Sequence, residues 1–246
     1  MPFLRNLLFD TWPVVVHAHG SHAHKPQWPP IRQALFDAPA PTWTAPPELT
    51  LLTCNNGHPA MGLWEESLRR AGLQCQVLGH GIDPWVNSRH KPQLLARAAS
   101  EARTPYLLYA DSRDAVLIDD PARALERFLA FDCELVMGAD MMSWPALPAF
   151  RRFEQGLPGA RQSEFRYLNG GTWIGRRETV LELFTAACEI DPVPEAADSE
   201  QGLLRQLLPR FHPRIQLDYR CQIFQNVGFV SRDIFQLSSL QSSHGR

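Results

Sequence analysis

The sequence lacks a Cys-x-x-Cys pair, a leader-like start, a long apolar run and a basic excess, and each absence removes a class of protein. Its five cysteines, Cys54, Cys75, Cys133, Cys188 and Cys221, are odd in number and scattered. A disulfide framework or a four-cysteine zinc site is therefore not what organises the chain. Cys54, Cys75 and Cys133 lie in or beside apolar runs, where a reduced thiol packs as a small hydrophobe. A reducing compartment is expected. No basic segment precedes a long apolar one near the start, and no stretch approaches the roughly 20 apolar residues of a membrane span. The expectation is a soluble, cytoplasmic protein without a membrane span. Lys+Arg number 24 against Asp+Glu 26, interspersed, for a net charge of −2. That balance offers no basic stripe to nucleic acid. There is no internal repeat and no low-complexity tract.

What remains is 246 residues, 44% hydrophobic and 20% charged, enough to bury the core of one α/β domain. A β-branched run at residues 13–17 reads as a buried strand. Residues 20–47, rich in Pro and Trp, read as an excursion or linker with one helix-like patch at 31–36. From residue 48 the pattern alternates. Leu49–Cys54, residues 75–78, Tyr106–Ala110 and residues 134–137 read as strands. Helices are expected at residues 59–71, 91–102 and 121–131, the first with Pro59 near its start and Gly72 past its end. Such βαβα alternation implies a mainly parallel sheet with helices on both faces. In the second half, residues 144–158 read as loop, 171–175 as strand, 178–188 and 199–208 as helices, and Ile215–Leu217 as a last strand.

Four clusters carry chemistry. Asp111-Ser-Arg-Asp114 follows the Tyr106–Ala110 strand, and ligands gather at the carboxyl ends of strands in an open parallel sheet. Two carboxylates three residues apart there can converge on a hard cation that bridges phosphates. The plainer reading is a solvated loop whose aspartates cap turns. Second, His17-Ala-His19-Gly20-Ser-His22-Ala-His24 places four of the nine histidines in eight residues, directly after a strand. Alternating imidazoles suit a metal, although a loop enriched in His by accident reads the same way. Third, Asn169-Gly170-Gly171 allows close backbone approach to a sugar, or simply a tight turn. Fourth, Asp198-Ser199-Glu200-Gln201 opens a helix, where capping alone accounts for the carboxylates.

Taken in order, these residues resemble the glycosyltransferase domain of the procollagen lysyl hydroxylases and related collagen glycosyltransferases. The resemblance runs from Leu49 to Asp233. It includes Val77-Leu-Gly-His-Gly81 with Trp85, the Lys91 helix, Tyr109-Ala-Asp111-Ser-Arg-Asp114 and Asp140 with Trp144-Pro145. It continues through Tyr167-Leu-Asn-Gly-Gly171 and Asp198-Ser-Glu-Gln201 to the run from Leu217 to Asn226. It implies a single GT-A, Rossmann-like domain over residues 1–246. Mn²⁺ would be held by Asp111, Asp114 and a histidine that in the family follows a late apolar strand. Here the matching text, ending in His17-Ala-His19-Gly20, comes first. A circular permutation is therefore expected, with residues 1–20 supplying the strand and histidine and 21–47 the new connection. The Val14–Val16 strand should then enter the same sheet as Tyr106–Ala110. His244, near the other end, is the rival third ligand.

The resemblance further implies transfer of a hexose from a UDP-sugar to a glycan or hydroxylated side chain. Thr53, Trp85, Lys91, Ser112, Arg113, Asn169, Gly170, Gly20 and Lys25 would bind the donor. Trp85 would stack on uracil, Lys25 would neutralise diphosphate, and Asn169 and Gly170 would face the sugar. Asp140, Asp198 and Glu200 would line the acceptor side as candidate catalytic carboxylates. The chain departs from the family in carrying His19 for an asparagine, Arg113 for an aromatic residue, and a thinner acidic run before Gln201. Two other readings compete. One is a metallohydrolase built on His17-x-His19-x-x-His22; the other is a sugar-nucleotide-binding module without catalysis.

Overall fold

In a computed structural model the chain is described over residues 2–57 and 62–239. Leu107 and Tyr109 face one hydrophobic cluster while Leu108 and Ala110 face another, so their strand is buried on both faces, as its unbroken apolar run requires. This strand, β5 (Tyr106–Ala110), lies inside a six-stranded sheet. Its other members are β3 (Leu49–Cys54), β4 (Gln76–Leu78), β7 (Leu135–Asp140), β8 (Tyr167–Arg176) and β9 (Ile215–Leu217). The order is β4-β3-β5-β8-β7-β9, with β8 alone running against its neighbours. Helices α3 (Asn87–Glu101), α6 (Arg177–Cys188) and α7 (Glu200–Phe211) cover one face. The opposite face packs on α2 (Leu63–Arg70) and α4 (Pro121–Leu129). The fold is thus α/β, with a mainly parallel sheet between helical layers.

A second, three-stranded sheet has the order β10-β2-β6, made of Phe224–Asn226, Val15–His17 and Ala115–Leu117. This corrects the expectation that the N-terminal strand joins the sheet of β5. A buried β-branched run does not specify its sheet; here Val15 and Val16 pair with Leu117 and Val116 instead. Since β6 begins four residues after Asp111, the small sheet still delivers His17 beside the aspartate loop. A third, two-stranded sheet pairs β1 (Pro2–Asn6) with β11 (Phe235–Ser239) antiparallel.

Three other stretches differ from expectation. Residues 144–158, read as loop, contain α5 (Pro148–Gly156), with Pro at its start and Gly at its end. In the stretch read as an excursion or linker, the helix-like patch at 31–36 is there but extends over α1 (Trp28–Asp37), whose Trp28, Ile31 and Leu35 pack against Leu4, Val16, Val116 and Val227. Asn169-Gly170-Gly171 lies inside strand β8, not in a turn. Met137 pairs with Trp173 but Gly138 with Asn169, so residues 170–172 bulge away from β7. Among the cysteines all five are free, and of the three read as buried only Cys54 is; Cys75 and Cys133 are half-exposed. No described helix is long and apolar enough to cross a membrane.

Candidate active site

The carboxyl end of β5, the end of β2 and the bulge of β8 meet at one point. His17 Nε2 lies 3.3 Å from Asp114 Oδ1 and 3.7 Å from Asp111 Oδ2. One ligand atom from each of the three side chains falls within 4.8 Å of the others, the sole such grouping of His, Cys, Asp and Glu among the described residues. His17 is 2% exposed. Its Nδ1 is hydrogen-bonded to Asn226 Oδ1 at 2.8 Å, while its buried Nε2 sits within ion-pairing distance of the aspartates but without an aligned hydrogen bond. Burial opposes charge on this ring, yet Asp114 and Asp111 raise its pKa to about 9. A buried imidazole nitrogen aimed at two carboxylates, its other nitrogen held by a neighbour, matches the donor chemistry that a mixed N/O divalent-cation site requires.

The bulge explains the glycines. A β-carbon on Gly171 would stand 2.3 Å from His17 Cε1 and 2.8 Å from Asp111 Oδ2. Gly171 O also accepts the Asp111 amide at 2.8 Å. Gly170 N donates to Gln201 Oε1 at 3.0 Å, tying the bulge to α7.

Beside these three side chains opens a cleft of about 330 Å³, lined by Asn55, Asn56, Trp85, Lys91, Ser112 and Arg113 among others. Trp85 is half-buried over Gly79, and its indole N–H donates to Asn87 Oδ1 at 2.7 Å. Arg113 is exposed, and its guanidinium donates to Asn55 Oδ1 at 2.8 Å. Ser112 is buried beneath the loop, donating to both oxygens of Glu65 at 2.8 Å.

Several expected contacts are occupied by protein. Thr53 is fully buried and spends its hydroxyl on Ala110 O at 2.7 Å, so its side chain ties β3 to β5 and does not line the cleft. Lys91 is buried between Asp111 and Glu200, at 2.8 and 2.7 Å. Burial opposes its charge, but the two carboxylates hold its pKa above the ordinary lysine value. Glu200 is correspondingly buried and paired. Asp140 is 3% exposed; it accepts from the Met142 amide at 2.9 Å and from Asn169 Nδ2 at 3.2 Å, with His19 Nε2 at 2.7 Å. These two carboxylates are engaged by the fold, whereas Asp198 is exposed just before α7. Lys25 is buried with its ammonium on Ala18 O; burial lowers its pKa, and the nearby Asp114 opposes that shift. Gly20 takes a φ of 80° beside Phe229, a turn that only glycine adopts freely.

Among its described side chains, the histidine-rich loop does not converge on one point. His17 faces Asp111 and Asp114, His19 faces Asp140, and His24 stacks on Phe229 with ring centres 4.1 Å apart. The side chain of His22 and all of His244 lie outside the described residues. The three-histidine hydrolase site is therefore not assembled from the described members of the cluster. Sequence reasoning missed Tyr109, whose hydroxyl donates to Asp111 Oδ1 at 2.7 Å, and Asn226, which holds His17. The pairing of Asn226 with His17 across β10 and β2 is a long-range register that no local pattern announces.

Residues 48–243 match the family described as PLOD GT domain. Procollagen-lysine,2-oxoglutarate 5-dioxygenase 1 of Homo sapiens is 26% identical over 178 residues, and that of Bos taurus 27% over 177. Each match covers 67% of this chain but 23% of the relative, so the chain spans under a quarter of the length of those proteins. Among solved structures, Mycobacterium tuberculosis glucosyl-3-phosphoglycerate synthase in complex with Mn²⁺, UDP-glucose and glycerol 3-phosphate is similar with a TM-score of 0.42. Its sequence is 16% identical, over 78% of this chain and 79% of that one. The same enzyme with UDP gives 0.42 at 15% identity, over 79% of each. With four-fifths of its length matched by one family, the chain belongs to the PLOD GT domain family and is a glycosyltransferase domain.

Proposed function

We propose that the chain transfers a hexose from a UDP-sugar to an acceptor hydroxyl with Mn²⁺ assistance. The observation that carries this reading is the meeting of His17, Asp111 and Asp114 beside a cleft lined by an aromatic ring and a guanidinium. A divalent cation at that point supplies charge neutralisation for the departing diphosphate. His17, Asp111 and Asp114 would hold it. Trp85 stacks on the base at the far end of the cleft, and Arg113, pinned by Asn55, contacts ribose or phosphate. Ser112 shapes the loop through Glu65, and Lys25 adds positive charge behind Asp114. Gly20 lets the loop turn toward Phe229. The bulge at Gly170 and Gly171 opens a path for the sugar, with Asn169 holding the bulge in place.

The acceptor side is the start of α7. Asp198 is the exposed carboxylate there and is assigned to the acceptor hydroxyl. Asp140 and Glu200, already paired, act by position. The acceptor is a glycan or a hydroxylated side chain. A circular permutation accounts for His17 arriving from the front of the sequence. In its support, Pro2 pairs with Ser239, which places the two ends of the described chain within a short loop of one another. Five free thiols favour a reducing compartment such as the cytoplasm.

The test is a screen of UDP-sugars for Mn²⁺-dependent binding and hydrolysis. Asp111→Ala and Asp114→Ala should each remove turnover, by several kcal/mol of lost charge stabilisation. Turnover at the wild-type level in both folded variants would sink the assignment.

A further inference from the structure

The two oxygens of Asp111 have different surroundings. Oδ1 accepts from Lys91 Nζ at 2.8 Å and from the Tyr109 hydroxyl at 2.7 Å. Oδ2 is the oxygen facing His17 Nε2. Both donors are locked. Tyr109 is 1% exposed and stacked on Trp173, with centroids 5.3 Å apart and planes at 14°. Lys91 is also buried and is shared with Glu200 at 2.7 Å. Turning Oδ1 away would leave a buried ammonium and a buried hydroxyl each short of a partner, and both are costly.

We propose that Lys91 and Tyr109 are positioning residues that confine Asp111 to one metal-facing oxygen, and so select a small octahedral cation such as Mn²⁺ or Mg²⁺ against Ca²⁺. The inference rests on the metal reading above. Ca²⁺ gathers about six to eight oxygens and accepts bidentate carboxylates readily, whereas Mg²⁺ demands near-octahedral geometry at shorter distances. A carboxylate whose second oxygen already holds an ammonium and a phenol remains monodentate. With an imidazole as third ligand, the set is too poor in oxygen for Ca²⁺ and well suited to Mn²⁺.

Calorimetric titration of Mn²⁺ and of Ca²⁺ into wild type, Tyr109→Phe and the double variant Lys91→Met/Glu200→Gln tests this. The Mn²⁺ electron paramagnetic resonance spectrum is a second readout of ligand geometry. Tyr109→Phe keeps the ring stacked on Trp173 and removes only the hydroxyl. The double variant avoids stranding a buried charge. Wild type should prefer Mn²⁺, and that preference should fall by ~10-fold or more in each folded variant, chiefly through tighter Ca²⁺. The bound-Mn²⁺ spectrum should change as well. A Tyr109→Phe protein with wild-type selectivity and spectrum overturns the proposal while leaving the metal site standing. A wild-type protein that binds no Mn²⁺ overturns the metal reading and this inference together.

Discussion

His17 Nδ1 and Asn226 Oδ1 lie 2.8 Å apart across the paired strands β2 and β10. Asn226 Nδ2 is committed to Ala139 O at 2.7 Å, so its oxygen faces the ring and accepts a hydrogen bond from Nδ1–H. That leaves Nε2 as the nitrogen offered to Asp111 and Asp114. Asn226→Ala should therefore weaken Mn²⁺ binding by about 10–100-fold, the usual effect of removing a partner that orients a ligand. Calorimetry on the folded variant checks it; unchanged affinity would mean the ring is oriented by packing alone.

Gly171→Ala should damage the site more than the fold. The added carbon collides with His17 and Asp111 and has no room to relax, since both are held by buried partners. A cost of about 1–3 kcal/mol in stability is expected from overpacking, with metal affinity lost out of proportion to it. Gly156→Ala is the control, because nothing lies within 4 Å of its added carbon. Mn²⁺ titration and thermal melts of the two proteins separate the effects.

Trp85→Ala should weaken UDP binding by about 1–3 kcal/mol, the range for stacking on a base. Trp85→Phe should retain most of the affinity. Following tryptophan fluorescence during UDP titration also shows whether this indole, among seven in the chain, is the one that responds. Equal affinity in wild type and Trp85→Ala would exclude stacking.

Without metal, the stability of the protein should fall as pH rises through the alkaline range. His17 is raised from 6.5 to about 9 in the folded state, with Asp114 and Asp111 overcoming the effect of burial. A folded-state pKa above the unfolded one stabilises fully below the unfolded value and is lost as pH climbs through the folded one. The melting temperature of metal-free protein should therefore decline from about pH 6.5 to about pH 9, and the slope should vanish in His17→Gln. Saturating Mn²⁺ should offset the decline, because a bound imidazole has already given up its proton. A flat profile in metal-free wild type would contradict a protonated His17.

How much of this was legible in the sequence follows from distance along the chain. Strands Leu49–Cys54, Tyr106–Ala110 and Ile215–Leu217 could be bounded to the residue, because each is an apolar run closed by turn or polar residues. Ala115–Leu117 and Phe224–Asn226 are not separable as strands in the sequence, because their places are set by pairing with distant Val15–His17. The aspartate pair announced itself by its place after β5. Its clamp did not: Lys91 lies 20 residues from Asp111 and 109 from Glu200, and nothing local distinguishes a lysine that binds substrate from one that binds two carboxylates. The glycines read in the sequence as room for a sugar or as a tight turn, whereas what approaches Gly171 in the fold is the protein's own His17 and Asp111.

The three side chains of the proposed metal site hang from two separate sheets: Asp111 from the end of β5, His17 from the end of β2, and Asp114 at the entry to β6. An ion gripped by all three would then also be a rivet between sheets that, among the described residues, share no hydrogen-bonded strand. Prying the small sheet loose would cost the ion its imidazole, so ion release and local opening become one event. Amide exchange at Val15 and Val16 would slow on loading, and the strand would keep time with the ion's residence.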